Sequence, residues 1–235
     1  MTKTYRIAEK TIEIASLFEA VHRLCADYRA DGAPDFRVAI TPHDLDAERA
    51  RAAETVSDAY LETLAVYRKI AEIMPRYDTV LMHGSALALD GEGYLFTAKS
   101  GTGKSTHARL WREAFGARAV MVNDDKPLVR VASGGAIVYG TPWNGKHRLG
   151  ANVAAPLRAV CLLRRAEENT ICRITKSDAY PTLVRQIYRP ADPDALRRTL
   201  ALIDRLADSV GLYRLGCNMA REAAIISYNG MRGAT

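Results

Sequence analysis

The chain has 235 residues, enough to bury a substantial core in one domain or in one domain with an appendage. With 48% hydrophobic and 26% charged residues it has an ordinary globular composition, and no apolar run reaches the length of a membrane span. The net charge of +6 comes from Lys and Arg scattered through helical patterns such as "ALRRTLALIDRLAD"; this suits an anionic small molecule, and neither nucleic acid nor membrane is expected as a partner.

The opening "MTKTYRIAEK" has none of the features of a signal peptide, which points to the cytoplasm. Residues 5–14 alternate as a short strand or hairpin, and "SLFEAVHRLCADY" follows with helical spacing and Ser16 as its expected cap. "FRVAI" reads as a strand, and "TPHDLDAERARAAE" as a polar, loosely organised stretch. From Val56 to Met74 the residues Leu61, Leu64, Tyr67, Ile70, Ile73 and Met74 share one helical face, which Pro75 ends.

Signals are denser after residue 75. "TVLMHGSALAL" reads as one buried strand, "DGEG" as a turn, and "YLFTA" as the strand entering a glycine loop. "STHARLWREAF" is the next helix, closed by Gly116, and "RAVMVNDD" a short strand ending in carboxylates. "PLVRVASGGAIVYG" is a hairpin; strands "RAVCLLRR" and "TICRITK", helices near 178–188 and 193–209, the strand "YRLGC" and a helix near 219–227 complete the chain. The class is α/β with hairpins mixed into the sheet. Cys25, Cys161, Cys172 and Cys217 lack CxxC spacing and are expected as buried free thiols, with no zinc site.

The stretch "AKSGTGKSTH" carries the functional signal. Glycines let successive backbone N–H groups converge on an anion, and the following helix turns its N-terminus to the same point. Ser100, Gly101, Thr102, Gly103, Lys104, Ser105 and Thr106 are therefore the expected nucleotide-binding residues, with Lys104 reaching the terminal phosphates and Ser105 ligating Mg²⁺. Ala98 stands where the motif has its first glycine.

Asp124 and Asp125 end the strand that follows the loop helix. At that place one carboxylate can hold Mg²⁺ and its neighbour can act as base toward a hydroxyl. His22, His43 and His147 read as structural, and His107, on the first turn of the loop helix, is ambiguous between roles. Trp143, Asn144, Lys146 and Arg148, in "GTPWNGKHR", form either a substrate- or phosphate-contacting loop or a structural loop anchored by Trp143.

The combination of "HG", a hairpin, "SGTGKST", a helix and "NDD" resembles the HPr kinase/phosphorylases and related small kinases of the PEP-carboxykinase-like fold over residues 75–175. His83 lies 21 residues before Lys104 and Asp125 lies 21 after it, as in that family. The segment Gly140–Lys146 also resembles "GTPW.GK" in a branch of HPr-kinase-related proteins, some associated with serine phosphorylation in modified-peptide pathways. The resemblance implies a mixed sheet with a P-loop and flanking helices in residues 76–235, preceded by an α/β segment, residues 1–75, of unassigned role. It implies ATP and Mg²⁺ as cofactors and free serine, a peptide or a protein as hydroxyl acceptor, and the relatives' oligomers suggest a homo-oligomer. Lys104 would bind the β- and γ-phosphates, Asp125 would take the hydroxyl proton, Asp124 would support the metal or orient its neighbour, Ser105, Asp124 and Asp125 together would form the metal site, and His83 would balance charge at the transferred phosphate. "YGTPWNGKHR" lacks the carboxylate with which the bifunctional enzymes complete their metal site, so neither phosphorylase activity nor HPr as acceptor is implied. Two alternatives stand beside a serine-type kinase: a nucleotide-binding regulatory module without transfer, and a decarboxylase of the same fold, for which a convincing transition-metal ligand set is missing.

Overall fold

The computed structural model describes residues 1–145 and 147–233. Strands Thr2–Ile7 (β1) and Lys10–Ala15 (β2) form an antiparallel hairpin across Ala8 and Glu9, both at positive φ, 50° and 62°, the twist a tight hairpin needs. Phe36–Ala39 (β3) adds in parallel to β2 and completes a three-stranded sheet. Three helices accompany it: Glu19–Leu24 (α1), Pro42–Arg51 (α2) and Asp58–Ile73 (α3).

Two local expectations are corrected here. Ser16 does not cap α1, which begins on Phe18; the Ser16 hydroxyl meets His22 Nε2 at 2.8 Å. The carboxylate of buried Glu62 on α3 receives the Leu17 and Phe18 N–H groups instead, at 2.5 and 2.9 Å. The stretch expected to be loose is α2, a ten-residue helix with Pro42 in its first turn and Asp44 accepting from the Thr41 N–H at 2.8 Å. It buries little beyond Leu45 and is held on α3 by polar contacts. Buried Glu48 pairs with Arg68 at 2.7 Å, and Lys69 with Asp44 at 2.7 Å.

The second sheet is mixed and nine-stranded, built from Thr79–Leu81 (β4), Ser85–Leu89 (β5), Glu92–Thr97 (β6), Ala119–Asn123 (β7), Leu128–Ala132 (β8), Gly135–Tyr139 (β9), Ala154–Arg165 (β10), Thr170–Arg173 (β11) and Gly211–Cys217 (β12). The order β4-β8-β9-β10-β6-β5-β7 runs through β10, which also pairs with β12, and β12 with β11. The long β10 changes partners along its length. Ala154–Pro156 lie antiparallel to β9, while its later residues run parallel to β6 and to β12.

Residues 79–89, expected as one strand, are two. The chain crosses between halves of the sheet at Met82–Gly84, beside the crossing at 125–127. Met82 N–H donates to Pro127 O at 3.0 Å and Gly84 N–H to Asp125 O at 3.1 Å. A side chain at residue 84 would sit 2.8 Å from the Phe96 carbonyl oxygen, so glycine is required there.

Lys104–Phe115 (α4) and Glu222–Arg232 (α7) cover one face of this sheet around Tyr94, Phe96 and Trp111; Lys176–Arg185 (α5) and Pro193–Ser209 (α6) cover the other around Val160, Leu183 and Leu206. A third apolar cluster joins the first sheet and α3 to Leu81, Leu128, Tyr139 and Trp143 of the second. Among the described residues no helix is long and apolar enough to cross a membrane.

Candidate functional site

Thr97, at the end of β6, is fully buried, and its hydroxyl donates to the His83 carbonyl at 2.8 Å, joining the loop's entry to the crossover. The loop then turns on Gly101 and Gly103, with φ of 79° and 124°, values that exclude most side chains. Ala98 has no positive φ, so alanine serves where the motif has glycine. Arg165 braces the outer side, donating to Gly101 O at 2.6 Å and Thr102 O at 3.3 Å.

The start of α4 differs from those of its neighbours in how its backbone donors are met. Helices α3, α5 and α6 open on Ser57, Thr175 and Asp192, whose side-chain oxygens accept a first-turn N–H. Helix α4 opens on Gly103 with no side-chain cap, which leaves its first N–H groups and the positive end of its dipole to whatever sits before it. Lys104 is buried and donates from Nζ to Ala98 O at 2.9 Å. Burial lowers its proton affinity, and the Asp125 charge opposes that.

Asn123 organises the carboxylates. It is fully buried, and its Oδ1 accepts from the Asp125 and Lys126 N–H groups at 2.9 and 2.6 Å. Its Nδ2 donates to Thr141 Oγ1 at 3.0 Å and Trp143 O at 3.3 Å, which ties the strand end to the 141–148 loop. Asp124 is buried and accepts the Gly145 N–H on Oδ1 at 2.6 Å. A side chain at Gly145 would stand 3.0 Å from Asp124 Oδ2, so glycine keeps that oxygen clear. Asp125 Oδ1 lies 3.0 Å from His83 Nδ1, and its Oδ2 pairs with Lys126 Nζ. Burial alone would raise the Asp125 pKa; the hydrogen bond from His83 and the charge and hydrogen bond of Lys126 outweigh it and hold the carboxyl at about 2.

These groups face one open cavity of about 740 Å³. Ser100, Gly101, Gly103, Lys104, Ser105 and Thr106 line it from the loop side, His83, Asp124 and Asp125 from the crossovers, and Asn144 and Arg148 from the loop after β9. Thr102 stands apart, on the outer side of the loop, where Lys99, Arg164, Arg165, Arg185 and Arg214 line a second basic cavity. Lys146 lies outside the described residues.

Sequence reasoning missed four contributors. Tyr60, 52% exposed at the start of α3, and Gly145 line the cavity, and Lys126 reaches it through Asp125. His147, read as structural, is exposed on the cavity wall. Lys126 had a local signal as the residue after the carboxylate pair, and Gly145 and His147 as members of the "GTPWNGKHR" loop; Tyr60 had none. His107 is structural: it is buried behind the loop against Phe96 and Ser227, and burial lowers its pKa to about 4. Trp143 is an anchor, buried, with its indole N–H on Thr63 O at 2.8 Å. The expectation of four buried thiols is corrected in part: Cys25 and Cys161 are buried, Cys172, on the edge strand β11, is exposed, and Cys217, at the end of β12, is half-buried.

No protein-family model and no curated protein matches the sequence. Among solved structures, the chain is similar to the HPr(Ser) kinase/phosphatase from Coxiella burnetii, at 12% identity and a TM-score of 0.38, over 65% of this chain and 88% of that one.

Proposed function

We propose that this chain is a P-loop kinase of the HPr-kinase-like type, transferring the γ-phosphoryl group of ATP to a serine-type hydroxyl. One observation carries the reading: a glycine loop before an uncapped helix and a histidine–carboxylate pair from two chain crossings line the same cavity. A phosphate loop alone would serve any nucleotide binder. A carboxylate held ionised opposite it supports transfer to an acceptor.

The residues fit Mg²⁺. Among the described residues no group of three or more His, Cys, Asp or Glu side chains could hold a metal, which disfavours a transition-metal decarboxylase. Mg²⁺ needs only one or two carboxylates together with substrate phosphates and waters. Asp124 Oδ2, kept clear by Gly145, and the exposed Ser105 hydroxyl on the same cavity would hold it. When bound, the ion neutralises charge on the phosphate oxygens.

The chain's own groups do the rest by positioning and charge, which dominate phosphoryl transfer. The α4 N–H groups and Lys104 bind phosphate oxygens, Lys104 exchanging its bond to Ala98 O for them. The acceptor oxygen bonds to the γ-phosphorus as the bond to the β,γ-bridging oxygen breaks, ADP leaves with that electron pair, and the hydroxyl proton passes to Asp125. With a pKa of about 2 in the free protein, Asp125 is a weak base. It aligns the hydroxyl first and takes the proton late, as a loose transition state allows. His83 fixes the carboxylate's orientation through its 3.0 Å contact.

The test is ADP formation from Mg²⁺-ATP with free L-serine and short serine peptides. Asp125→Asn is expected to retain nucleotide binding and lose transfer by a factor of about 10² or more. Full activity in that variant removes the role given to Asp125. Lys104→Ala is expected to lose ATP affinity, and unchanged affinity contradicts the loop reading.

A further inference from the structure

A third cavity, of about 550 Å³, opens beside the phosphate cavity, and Tyr60, Asp125, Asn144 and Arg148 line both. Its remaining walls come largely from the first 75 residues, with Arg23 and Leu24 of α1 and Leu64 and Tyr67 of α3 facing Trp143. Whatever occupies this space lies against Asp125 without entering the phosphate loop. Its volume suits a small molecule or two or three residues of a peptide, and is far too small for a folded partner.

The charges on its walls select the occupant. Lys126, Arg23 and Arg148 are basic, and Asp125 is the one carboxylate. Asp125 is already paired with Lys126 and with His83. Arg23 and Arg148 have no carboxylate partner among the described residues, so the cleft carries surplus positive charge next to the group that receives the hydroxyl proton. Between these charges the wall is apolar and rigid: Trp143 is fixed to Thr63 O, and the Tyr67 and Trp143 rings meet at 6.2 Å. Guanidinium groups recognise carboxylates through paired hydrogen bonds, and aromatic walls hold an apolar body.

We infer that this cleft is the acceptor site and takes a small hydroxy acid of serine type, with its carboxylate on Arg23 and Arg148, its apolar part against Trp143 and Leu64, and its hydroxyl at Asp125. This rests on the kinase reading and adds the acceptor's chemical class and a role for residues 1–75. A neutral serine amide of the same shape would leave both arginines without an anion.

The experiment compares N-benzoyl-L-serine with N-benzoyl-L-serinamide on the full chain. Binding is read without nucleotide by calorimetric titration, and transfer as ADP formation with Mg²⁺-ATP. The acid is expected to bind at least about tenfold more tightly than the amide, the scale of one charge-assisted hydrogen bond, and to be the better acceptor by a similar factor. Arg23→Gln, an exposed change on α1, is expected to cut the acid's advantage over the amide by about threefold or more, Arg148 holding the remainder, while ATP affinity stays at the wild-type value. Equal binding of acid and amide, binding of neither, or an acid preference undiminished in Arg23→Gln overturns the inference. ATP titration of the same samples separates the two levels. Acceptor discrimination absent with ATP bound and turned over on other hydroxyl compounds removes the acceptor class alone; acid binding with no turnover on any acceptor removes the kinase reading and leaves the hydroxy-acid site.

Discussion

On the proposed mechanism Asp125 would combine two roles that usually conflict, since the contacts that orient a carboxylate also lower its basicity. Burial favours the neutral acid, but the hydrogen bond from His83 and the charge of Lys126 win, and the carboxyl titrates at about 2. Because this value is depressed below the unfolded one of about 3.9, ionised Asp125 stabilises the folded chain at neutral pH. That contribution, on the order of 2 kcal/mol, is fully present above the unfolded pKa and is lost as pH falls toward 2. The ¹³C carboxyl shift of Asp125 is therefore expected to stay flat from pH 8 down to pH 4, and a midpoint above 4 would contradict the geometry. Any loss of activity between pH 8 and 5 must come from another group. Local sequence disclosed the pair Asp124–Asp125 but not its environment. His83 is 42 positions away, and the turn that presents both carboxylates depends on Asn123, whose side chain is satisfied by Thr141 and Trp143 in a later loop.

The elements divide by where their determinants lie. Helix α4 and its loop were legible because glycine, lysine and helical spacing act within a dozen residues. Helix α2 was not, because it buries little apolar surface; its start signal, Thr41-Pro42 with Asp44, was present and outweighed by the missing stripe. The break between β4 and β5 was hidden for the opposite reason. An apolar run continues through Met82, and only pairing with Pro127 and Asp125 divides it. Gly84 is the one local trace of that crossing, so Gly84→Ala measures it. The added methyl would meet the Phe96 carbonyl at 2.8 Å and Leu95 Cδ1 at 2.9 Å, and backbone cannot yield as a flexible side chain does. A loss of about 1–3 kcal/mol in urea unfolding is expected, together with, on the proposed kinase reading, a reduced transfer rate as the crossover that carries His83 shifts. Wild-type stability in this variant would mean that the crossover is looser than its hydrogen bonds imply.

The larger arrangement was the least legible, because the contacts between residues 1–75 and the rest are long in sequence and carry no motif. One apolar cluster runs from Tyr5, Ile12 and Ile14 through Leu61 and Ile70 to Leu81, Leu128, Tyr139 and Trp143. Trp143 spans this boundary, with its backbone carbonyl accepting from Asn123 and its indole N–H donating to Thr63. The first 75 residues therefore hold the 141–148 loop against the cavity as well as covering apolar surface. A fragment of residues 76–235 tests this with the chain's own fluorophores, since the only other tryptophan, Trp111, lies fully buried under α4 and α7. Removing α3 takes away the indole's acceptor and its neighbour Tyr67 while leaving the Trp111 environment intact. Tryptophan emission of the fragment is expected to shift to the red by one water-exposed indole, and Trp143→Phe in the fragment is expected to abolish the shifted component. Emission unchanged from the full chain would mean that the loop is fixed from within residues 76–235, through Asn123 and Thr141 alone. In that case the wall shared by the two cavities would not depend on the N-terminal helices, and removing them would leave ATP affinity untouched.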